Sequence, residues 1–445
     1  MRSRPRFGLP RAGSAVGSVA EGGPPPRAGT PAAARLAGPP AAAPARDGLM
    51  VVAALFVAGL VFRVPILVVG PLLKDVQADL GMSHGVAGLL SSIPVLCMAF
   101  LAPIGPVLAA SIGPRAAVAA CILATAGFGL LRALAPDALL VIALTVGIGL
   151  GMGIVGPVFT QVVRSALPHR PTLGTGAYAM GYIIGSSAAA ATAVPLAAAL
   201  GDWRGAFAAL AIVSFGALVG WWFLAPRDQH VRVAPRMPRL PLRSPIGWLL
   251  GLAFGFQSVL FYAAIAWLPS IYIERGWSTG DAAALNAFFA GLGIVTTLTV
   301  PVLTRWVPTR RTQLAIAASL ALLGTIGVAI GGEGPASAGS NGALAYGAIL
   351  ALGFGIGIFF PITLTLPVES GSSPAESSAL AALMLLVGYT FAAIGPVVLG
   401  AVRDATGSFV VAGWLLVGVA GVMLAATSLL SPKRLAGSPA PIVEA

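Results

Sequence analysis

Charged side chains are scarce in this sequence. They make up 9% of its 445 residues, whereas hydrophobic residues make up 57%. A soluble protein of this length needs more charge than this to cover its water-facing surface. Apolar runs recur along most of the chain instead, each close to or above the roughly 20 residues with which a helix crosses a bilayer. The composition excludes a soluble domain and predicts an all-α, multi-pass protein of the cell membrane, surrounded by the lipid bilayer.

Residues that bind metals or act as nucleophiles are also few. The two cysteines, Cys97 and Cys121, fall in apolar runs and are typical of small buried hydrophobic residues rather than of a disulfide framework. The three histidines lie in predicted loops, and no HExxH, CxxC or P-loop pattern is present. We therefore predict no catalytic residues, no metal site and no cofactor, and we do not expect an enzyme.

The net charge of +12 comes mainly from arginines that lie between the apolar runs. Such residues act as topology signals, so we expect no nucleic-acid partner. Of 26 Lys and Arg residues, 20 fall on the side of the N-terminus, five on the opposite side, and Arg63 inside a run. The positive-inside rule then predicts that both termini are cytoplasmic, in agreement with an even number of spans.

Twelve apolar runs predict twelve transmembrane spans, near residues 49–72, 86–109, 115–133, 138–163, 173–199, 204–225, 245–268, 282–303, 312–331, 343–366, 377–401 and 408–431. The longest basic loop separates the first six from the last six. We predict a monomer with five parts in chain order. They are a disordered cytoplasmic tail at 1–47, an N-terminal six-helix half at 48–225, a basic cytoplasmic linker at 226–244, a C-terminal six-helix half at 245–431 and a second cytoplasmic tail at 432–445.

The two halves repeat in sequence. At an offset of 195 residues, five positions are identical: Gly81, Ser83, Gly85, Ala87 and Leu90 match Gly276, Ser278, Gly280, Ala282 and Leu285. Arg115 matches Arg310 at the same offset, and Gly181-Tyr182 pairs with Gly388-Tyr389 at an offset of 207. Two six-helix halves in a parallel repeat are the architecture of major facilitator transporters, which bind substrate near the midplane between the halves.

Arg63 is the one charged side chain that we place inside a span. A rise of about 1.5 Å per residue from residue 49 puts it about 21 Å into a hydrocarbon core roughly 30 Å thick. A charge at this depth normally faces the bundle interior or a cavity, so we predict an anion-binding residue of a transport pathway. The alternative is a structural arginine that caps carbonyls at a helix break, because Pro65 follows two residues later.

Four segments resemble the cyanate porter family of the major facilitator superfamily, which includes cyanate and 2-nitroimidazole transporters. They are RVPILVVGPLL at 63–73, GLLSSIPVLCMAFLAPIGP at 88–106, QSVLFYAAIAWLPSI at 257–271 and VGYTFAAIGPVVLGAVRDATGS at 387–408. The resemblance spans roughly residues 55–415. It implies that Arg63 is the arginine of the family's first-helix motif and that the first, fourth, seventh and tenth spans line the cavity.

The sequence departs from the family at three polar positions. The family's Asn-Leu-Arg-Pro is Val61-Phe62-Arg63-Val64 here, Gly156 stands where an Asn is common, and Leu385 stands where a Gln is common. We therefore expect a small organic or inorganic anion that is cyanate-like or larger and more lipophilic, moved by a secondary transporter through alternating access. A drug or toxicant exporter of the same fold and a non-transporting membrane sensor are the alternatives.

Other polar residues in the spans are candidates for substrate binding. Gln257, Ser258 and Tyr262 could donate hydrogen bonds to an anion held by Arg63, or they could join helices to each other. Gln161 near the end of the fourth span either binds substrate or belongs to a polar rim at the cytoplasmic end of the span. Tyr182 and Tyr389 either bind substrate or are packing or gating aromatics.

Arg115 and Arg310 occupy the positions of the gating loop that many major facilitators carry, but neither copy of the loop includes an acidic residue. The usual gating ion pair is therefore only weakly supported. All 14 acidic residues fall outside or at the ends of the predicted spans, so we predict that no proton is carried on a buried carboxylate. Glu369 and Asp75, at helix ends, are the two exceptions to consider.

Overall fold

The computed structural model describes residues 45–227, 240–307, 309–331 and 340–429. In these ranges all regular structure is helical, and twelve helices are long and apolar enough to cross a membrane. The predicted fold class is therefore confirmed. Predictions for most of the first tail, for most of the basic linker and for the second tail lie outside the described residues.

The first half of the described chain contains nine helices. Their bounds are α1 Ala45–Phe62, α2 Val64–Leu67, α3 Val69–Leu80, α4 His84–Leu101, α5 Ile104–Ile112, α6 Pro114–Leu134, α7 Ala138–Ala166, α8 Pro171–Leu200 and α9 Trp203–Leu224. The second half contains six helices. They are α10 Pro245–Glu274, α11 Thr279–Trp306, α12 Arg310–Ile330, α13 Ser340–Ser370, α14 Pro374–Thr406 and α15 Phe409–Leu429.

The first span is not the single helix that the sequence predicted over 49–72. It is interrupted at Arg63 and again at Val68, which separates the four-residue α2 from α1 and α3. Pro65 and Pro71 are the cause, because a proline lacks the N–H that would bond the carbonyl four residues earlier. A hydropathy profile does not register these breaks, since every residue around them is apolar except Arg63.

Helix packing follows the two-fold repeat. In the first half α1 packs on α8 and α9, α6 packs on α7 and α9, and α4 packs on α7. The same pairs recur six spans later, where α10 packs on α14 and α15, α12 packs on α13 and α15, and α11 packs on α13. The halves meet mainly where α4 contacts α14 and where α8 contacts α11.

The repeated sequence motif marks equivalent turns. Gly81 and Gly276 both have positive φ, at 62° and 89°, a conformation that glycine adopts without steric cost. Two residues later Ser83 and Ser278 cap the next helix, accepting hydrogen bonds from Val86 N at 3.3 Å and from Asp281 N at 3.0 Å. The identities between the halves thus reflect the same helix stop and the same helix start.

The two halves touch closely on one face of the bundle. We call the face where α1 begins and α15 ends the terminal side, and the opposite face the distal side. On the distal side Asp404 of α14 accepts hydrogen bonds from His84 N, His84 Nδ1 and Gly85 N, at 3.0, 2.7 and 2.8 Å. A Cβ on Gly88 would lie 2.6 Å from the Pro396 carbonyl oxygen, so α4 and α14 approach as closely as glycine permits. The two halves are therefore in tight contact on the distal side.

Candidate functional site

Arg63 lies at the first break of the opening span, between α1 and α2. Its backbone carbonyl accepts hydrogen bonds from Ile66 N and Leu67 N, at 3.3 and 3.2 Å, and so starts the short α2 helix. Its side chain is half-buried and extends toward the second half of the molecule, where Nη1 donates to the Tyr262 hydroxyl at 3.1 Å. The break therefore places the charge in the space between the two halves.

Aromatic rings surround the Arg63 guanidinium. Its Cζ atom lies 5.7 Å from the ring centroid of Tyr182 and 5.9 Å from those of Phe261 and Tyr262. Tyr389 also interacts electrostatically with the guanidinium. These distances are those of cation–π contacts, which stabilise a cation away from water.

Tyr182 and Tyr389 reach the same arginine because the repeat places them symmetrically. Each follows a glycine at which its helix packs closely on the first helix of its own half. A Cβ on Gly181 of α8 would lie 2.4 Å from the Phe56 carbonyl oxygen, and one on Gly388 of α14 would lie 2.1 Å from the Phe254 ring. One tyrosine from each half therefore flanks a charge that only the first half supplies.

The aromatic surface continues from Arg63 toward the terminal side. The Tyr182 ring lies 5.6 Å from that of Tyr178, which stacks on Phe159 at 5.0 Å and also contacts Thr160 of α7. Thr160 is exposed. A Cβ on Gly156, one turn earlier, would meet no atom within 4 Å. The missing side chain at Gly156 leaves open space beside the aromatic surface.

Arg63 has no acidic partner among the residues that the structure describes. The four ion pairs of the described chain join His84 to Asp404, Arg204 to Asp79, Arg310 to Glu369 and Arg403 to Glu274. A buried cation without a carboxylate is costly unless another anion neutralises it. The guanidinium, with its fork of donors, is suited to bind a carboxylate-like or other small anion.

Gln257 and Ser258 are not among the described residues that contact Arg63. Both side chains are buried, at 3% exposure each. Gln257 Nε2 donates to the Ile356 carbonyl of α13 at 3.5 Å, and its Oε1 accepts from Ser258 Oγ at 3.1 Å. These contacts support the alternative that the two residues join helices to each other, here α10 to α13.

We predict that Gln257→Ala destabilises the protein and leaves the KM of uptake within about twofold. Removal of the amide leaves buried polar groups unpaired, which costs about 1–3 kcal/mol. Tyr262→Phe is the matched comparison, because it removes only the hydroxyl that bonds Arg63 and should raise KM without lowering the melting temperature. The measurements are thermal unfolding of the purified variants and initial uptake rates. A raised KM at unchanged melting temperature in Gln257→Ala would make Gln257 a substrate ligand.

The remaining predicted site residues lie nearer the terminal side. Gln161 is half-buried in α7, next to Thr160, and is not among the described residues that contact Arg63. Arg115 at the start of α6 donates to the Trp222 carbonyl, and its Cζ lies 4.7 Å from the Trp222 ring centroid. This contact ties α6 to the end of α9, within the first half.

Arg310 has an acidic partner, although the second gating loop itself contains no acid, as the sequence indicated. Its Nε donates to Glu369 Oε1 at 2.9 Å, and its Nη1 donates to Gln313 Oε1 at 3.0 Å. The acid comes from the end of α13 rather than from the loop, so loop sequence alone could not reveal it. Whether Arg115 and Arg310 gate transport stays a prediction.

Arg132 is a second charge inside a span, which the sequence analysis counted with the distal loops. It is more deeply buried than Arg63, at 2% exposure, and its Nη2 donates to the Pro65 carbonyl at 3.1 Å. A signal was present in the sequence, since Arg132 falls within the predicted span 115–133 and shares a helix face with Thr125 and Gly129.

Comparison with known proteins gives a consistent result. The family model of the Major Facilitator Superfamily matches residues 51–396. The chain is 30% identical over 364 residues to the Uncharacterized transporter YycB of Bacillus subtilis, covering 80% of this chain and 87% of the relative. It is 28% identical over 368 residues to the 2-nitroimidazole transporter of Escherichia coli, and 29% identical over 359 residues to the Cyanate transport protein CynX of the same organism. These alignments cover 82% and 80% of this chain, and 91% and 90% of the relatives.

Solved structures share the fold at low sequence identity. A mutant of the nucleoside transporter NupG superposes with a TM-score of 0.72 at 12% identity, over 86% of this chain and 99% of that chain. A D-xylose-proton symporter superposes with a TM-score of 0.68 at 15% identity, over 87% of this chain and 98% of that one.

Proposed function

Because the chain belongs to the major facilitator superfamily, we propose that this membrane transporter moves a small anion by alternating access and binds it at Arg63. The observation that carries the proposal is the Arg63 side chain itself. It reaches from the first half to Tyr262 of the second, is flanked by both symmetric tyrosines, and meets no acid among the described residues. A cation-binding site would show the opposite balance of charge.

The surroundings of Arg63 favour an anion with a flat, weakly hydrated body. Tyrosine and phenylalanine rings supply most of the surface near the guanidinium, and Gly156 adds room. Aromatic faces stack on planar groups and offer few hydrogen bonds to a strongly hydrated ion. The names of the relatives, a 2-nitroimidazole transporter and a cyanate transport protein, point in the same direction.

Alternating access is supported by the asymmetry between the two faces of the bundle. The halves are locked on the distal side by Asp404 and by the contact of α4 with α14, whereas the aromatic path from Arg63 leads to exposed Thr160 on the terminal side. The distribution of Lys and Arg favours the terminal side as the cytoplasmic one. On this assignment the structure corresponds to a state that faces the cytoplasm.

The direct test is uptake into proteoliposomes that contain the purified protein. Radiolabelled cyanate, benzoate and 2-nitroimidazole would serve as probes, with benzylammonium as a cation that matches benzoate in size. We expect saturable uptake of at least one anion and no uptake of benzylammonium. Empty liposomes should take up none of the probes. Uptake of the cation, or anion uptake that survives in Arg63→Ala, would contradict the proposal.

We further predict that transport of a fully ionised anion moves no proton. Of the two helix-end carboxylates to consider, Glu369 is paired with Arg310, and Asp75 is exposed in α3 rather than buried in the bundle. Arginine itself cannot release a proton under these conditions. A pH-sensitive dye inside the liposomes should record no proton flux while the most acidic transported probe enters. Stoichiometric flux that disappears in Glu369→Gln or Asp75→Asn would show that a helix-end carboxylate couples transport to protons.

A further inference from the structure

We propose that Arg132 is a positioning residue, which holds α2 in place and thereby orients Arg63. The guanidinium of Arg132 comes from the last turn of α6 and donates from Nη2 to the carbonyl of Pro65, two residues after Arg63. The inference deepens the proposed function, because it concerns how the anion-binding side chain is presented.

The segment that follows Arg63 is short, although all four of its residues are buried. α2 has four residues and lies between two breaks, so it shares few backbone hydrogen bonds with α1 and α3. A cavity of about 10 Å³ lies between α2, α6 and α9, lined by Val64, Pro65, Val68, Thr125, Arg132 and Phe207 among others. Side-chain packing therefore leaves a small gap on this flank, and both partners of the Arg132–Pro65 hydrogen bond line it.

The Arg132 guanidinium is buried and only partly hydrogen-bonded, unlike that of a surface arginine. Its Cζ lies 4.6 Å from the Phe207 ring centroid, while Nε and Nη1 have no hydrogen-bond partner in the described residues. Burying a guanidinium with unpaired donors is costly, and an apolar residue would fill the site at lower cost. Such a residue would leave the Pro65 carbonyl without a donor.

Arg204 provides a matched control at the same helix end. It donates to the Ala133 carbonyl at 3.3 Å and also to the Ala135 carbonyl, and it pairs with Asp79 at 2.9 Å. It thus caps the end of α6, and it makes none of the contacts described between Arg132 and α2. Loss of Arg204 should lower stability without moving Arg63.

The experiment compares Arg132→Met, Arg132→Lys and Arg204→Met in the full-length protein. Hydrogen–deuterium exchange of peptides covering residues 61–70, without ligand, reports how firmly α2 is held. Initial uptake rates of the anion identified by the cyanate, benzoate and 2-nitroimidazole panel give KM and the maximal rate. For Arg132→Met we expect about tenfold faster exchange and about a tenfold higher KM, with a maximal rate near wild type. A tenfold change is the size of effect expected from the loss of one buried hydrogen bond.

Arg132→Lys should recover most of both effects, because only one donor bonds Pro65 and an ammonium can supply it. At position 63 lysine should not substitute for arginine: Arg63→Lys should not recover the uptake lost in Arg63→Ala, because the anion requires the guanidinium fork. Arg204→Met should change neither exchange at 61–70 nor KM. If Arg132→Met does not fold, the test rests on Arg132→Lys. A raised KM with unchanged exchange at 61–70 in Arg132→Lys overturns the proposal.

Two further results would overturn the proposal. One is unchanged exchange at 61–70 in an Arg132→Met protein that melts at a lower temperature. That result would give Arg132 a structural role only. The other is faster exchange with an unchanged KM. If no anion of the panel is taken up, the proposed function fails, but exchange at 61–70 still shows whether Arg132 holds α2.

Discussion

Anion binding and uptake are expected to be lost in Arg63→Ala while membrane insertion is retained. Arg63 is the cation that the described structure places between the halves without an acidic partner, so its removal takes away both the charge and the donors that an anion needs. Truncating one partner of a buried charge pair costs about 2–5 kcal/mol, which corresponds to roughly 30- to 5,000-fold in affinity. Radioligand binding and uptake in proteoliposomes measure the loss.

Arg63→Lys should be almost as damaging. Lysine keeps the charge but presents it as a compact, strongly hydrated ammonium, which cannot form two parallel hydrogen bonds and stacks less well on the surrounding rings. Arg311→Ala is the matched control, because it removes an exposed arginine at the start of α12. Wild-type uptake by a well-expressed Arg63→Ala protein would remove the basis for the proposed site.

A disulfide across the distal side is expected to stop transport reversibly. A Cβ on Gly85 of α4 would lie 3.5 Å from the Cβ of Ala401 of α14, which is within the separation of about 3.5–4.5 Å found in disulfides. The variant Gly85→Cys/Ala401→Cys, in a background with Cys97→Ala and Cys121→Ala, should crosslink readily. The closed distal side could then no longer open, so uptake should fall to background and return when the disulfide is reduced.

A second crosslink within one half separates this effect from oxidation itself. A Cβ on Gly413 of α15 would lie 3.6 Å from the Cβ of Ala329 of α12, and both helices belong to the second half. If the halves move as rigid bodies, the oxidised Gly413→Cys/Ala329→Cys variant should transport normally. Full transport by the oxidised Gly85→Cys/Ala401→Cys variant, with crosslinking verified by mass spectrometry, would contradict alternating access through the distal side.

The gating loops illustrate why part of the site could not be predicted. Arg310 was recognised as a conspicuous base, but its acidic partner Glu369 lies 59 residues away on another helix. The same limit applies to Arg132, whose partner Pro65 is 67 residues away. Short-range patterns report what a segment contains, and these interactions depend on which helices become neighbours.

The sequence by itself determined the membrane class, the twelve spans and the two-fold repeat, and it singled out Arg63 as a candidate. Each of these follows from the cost of placing polar groups in hydrocarbon, which leaves long apolar runs and makes one internal charge conspicuous. Only the tertiary structure decided how each helix is rotated about its axis. In an apolar span most faces look alike, so hydropathy could not tell that Tyr262 turns toward Arg63 while Gln257 turns toward α13.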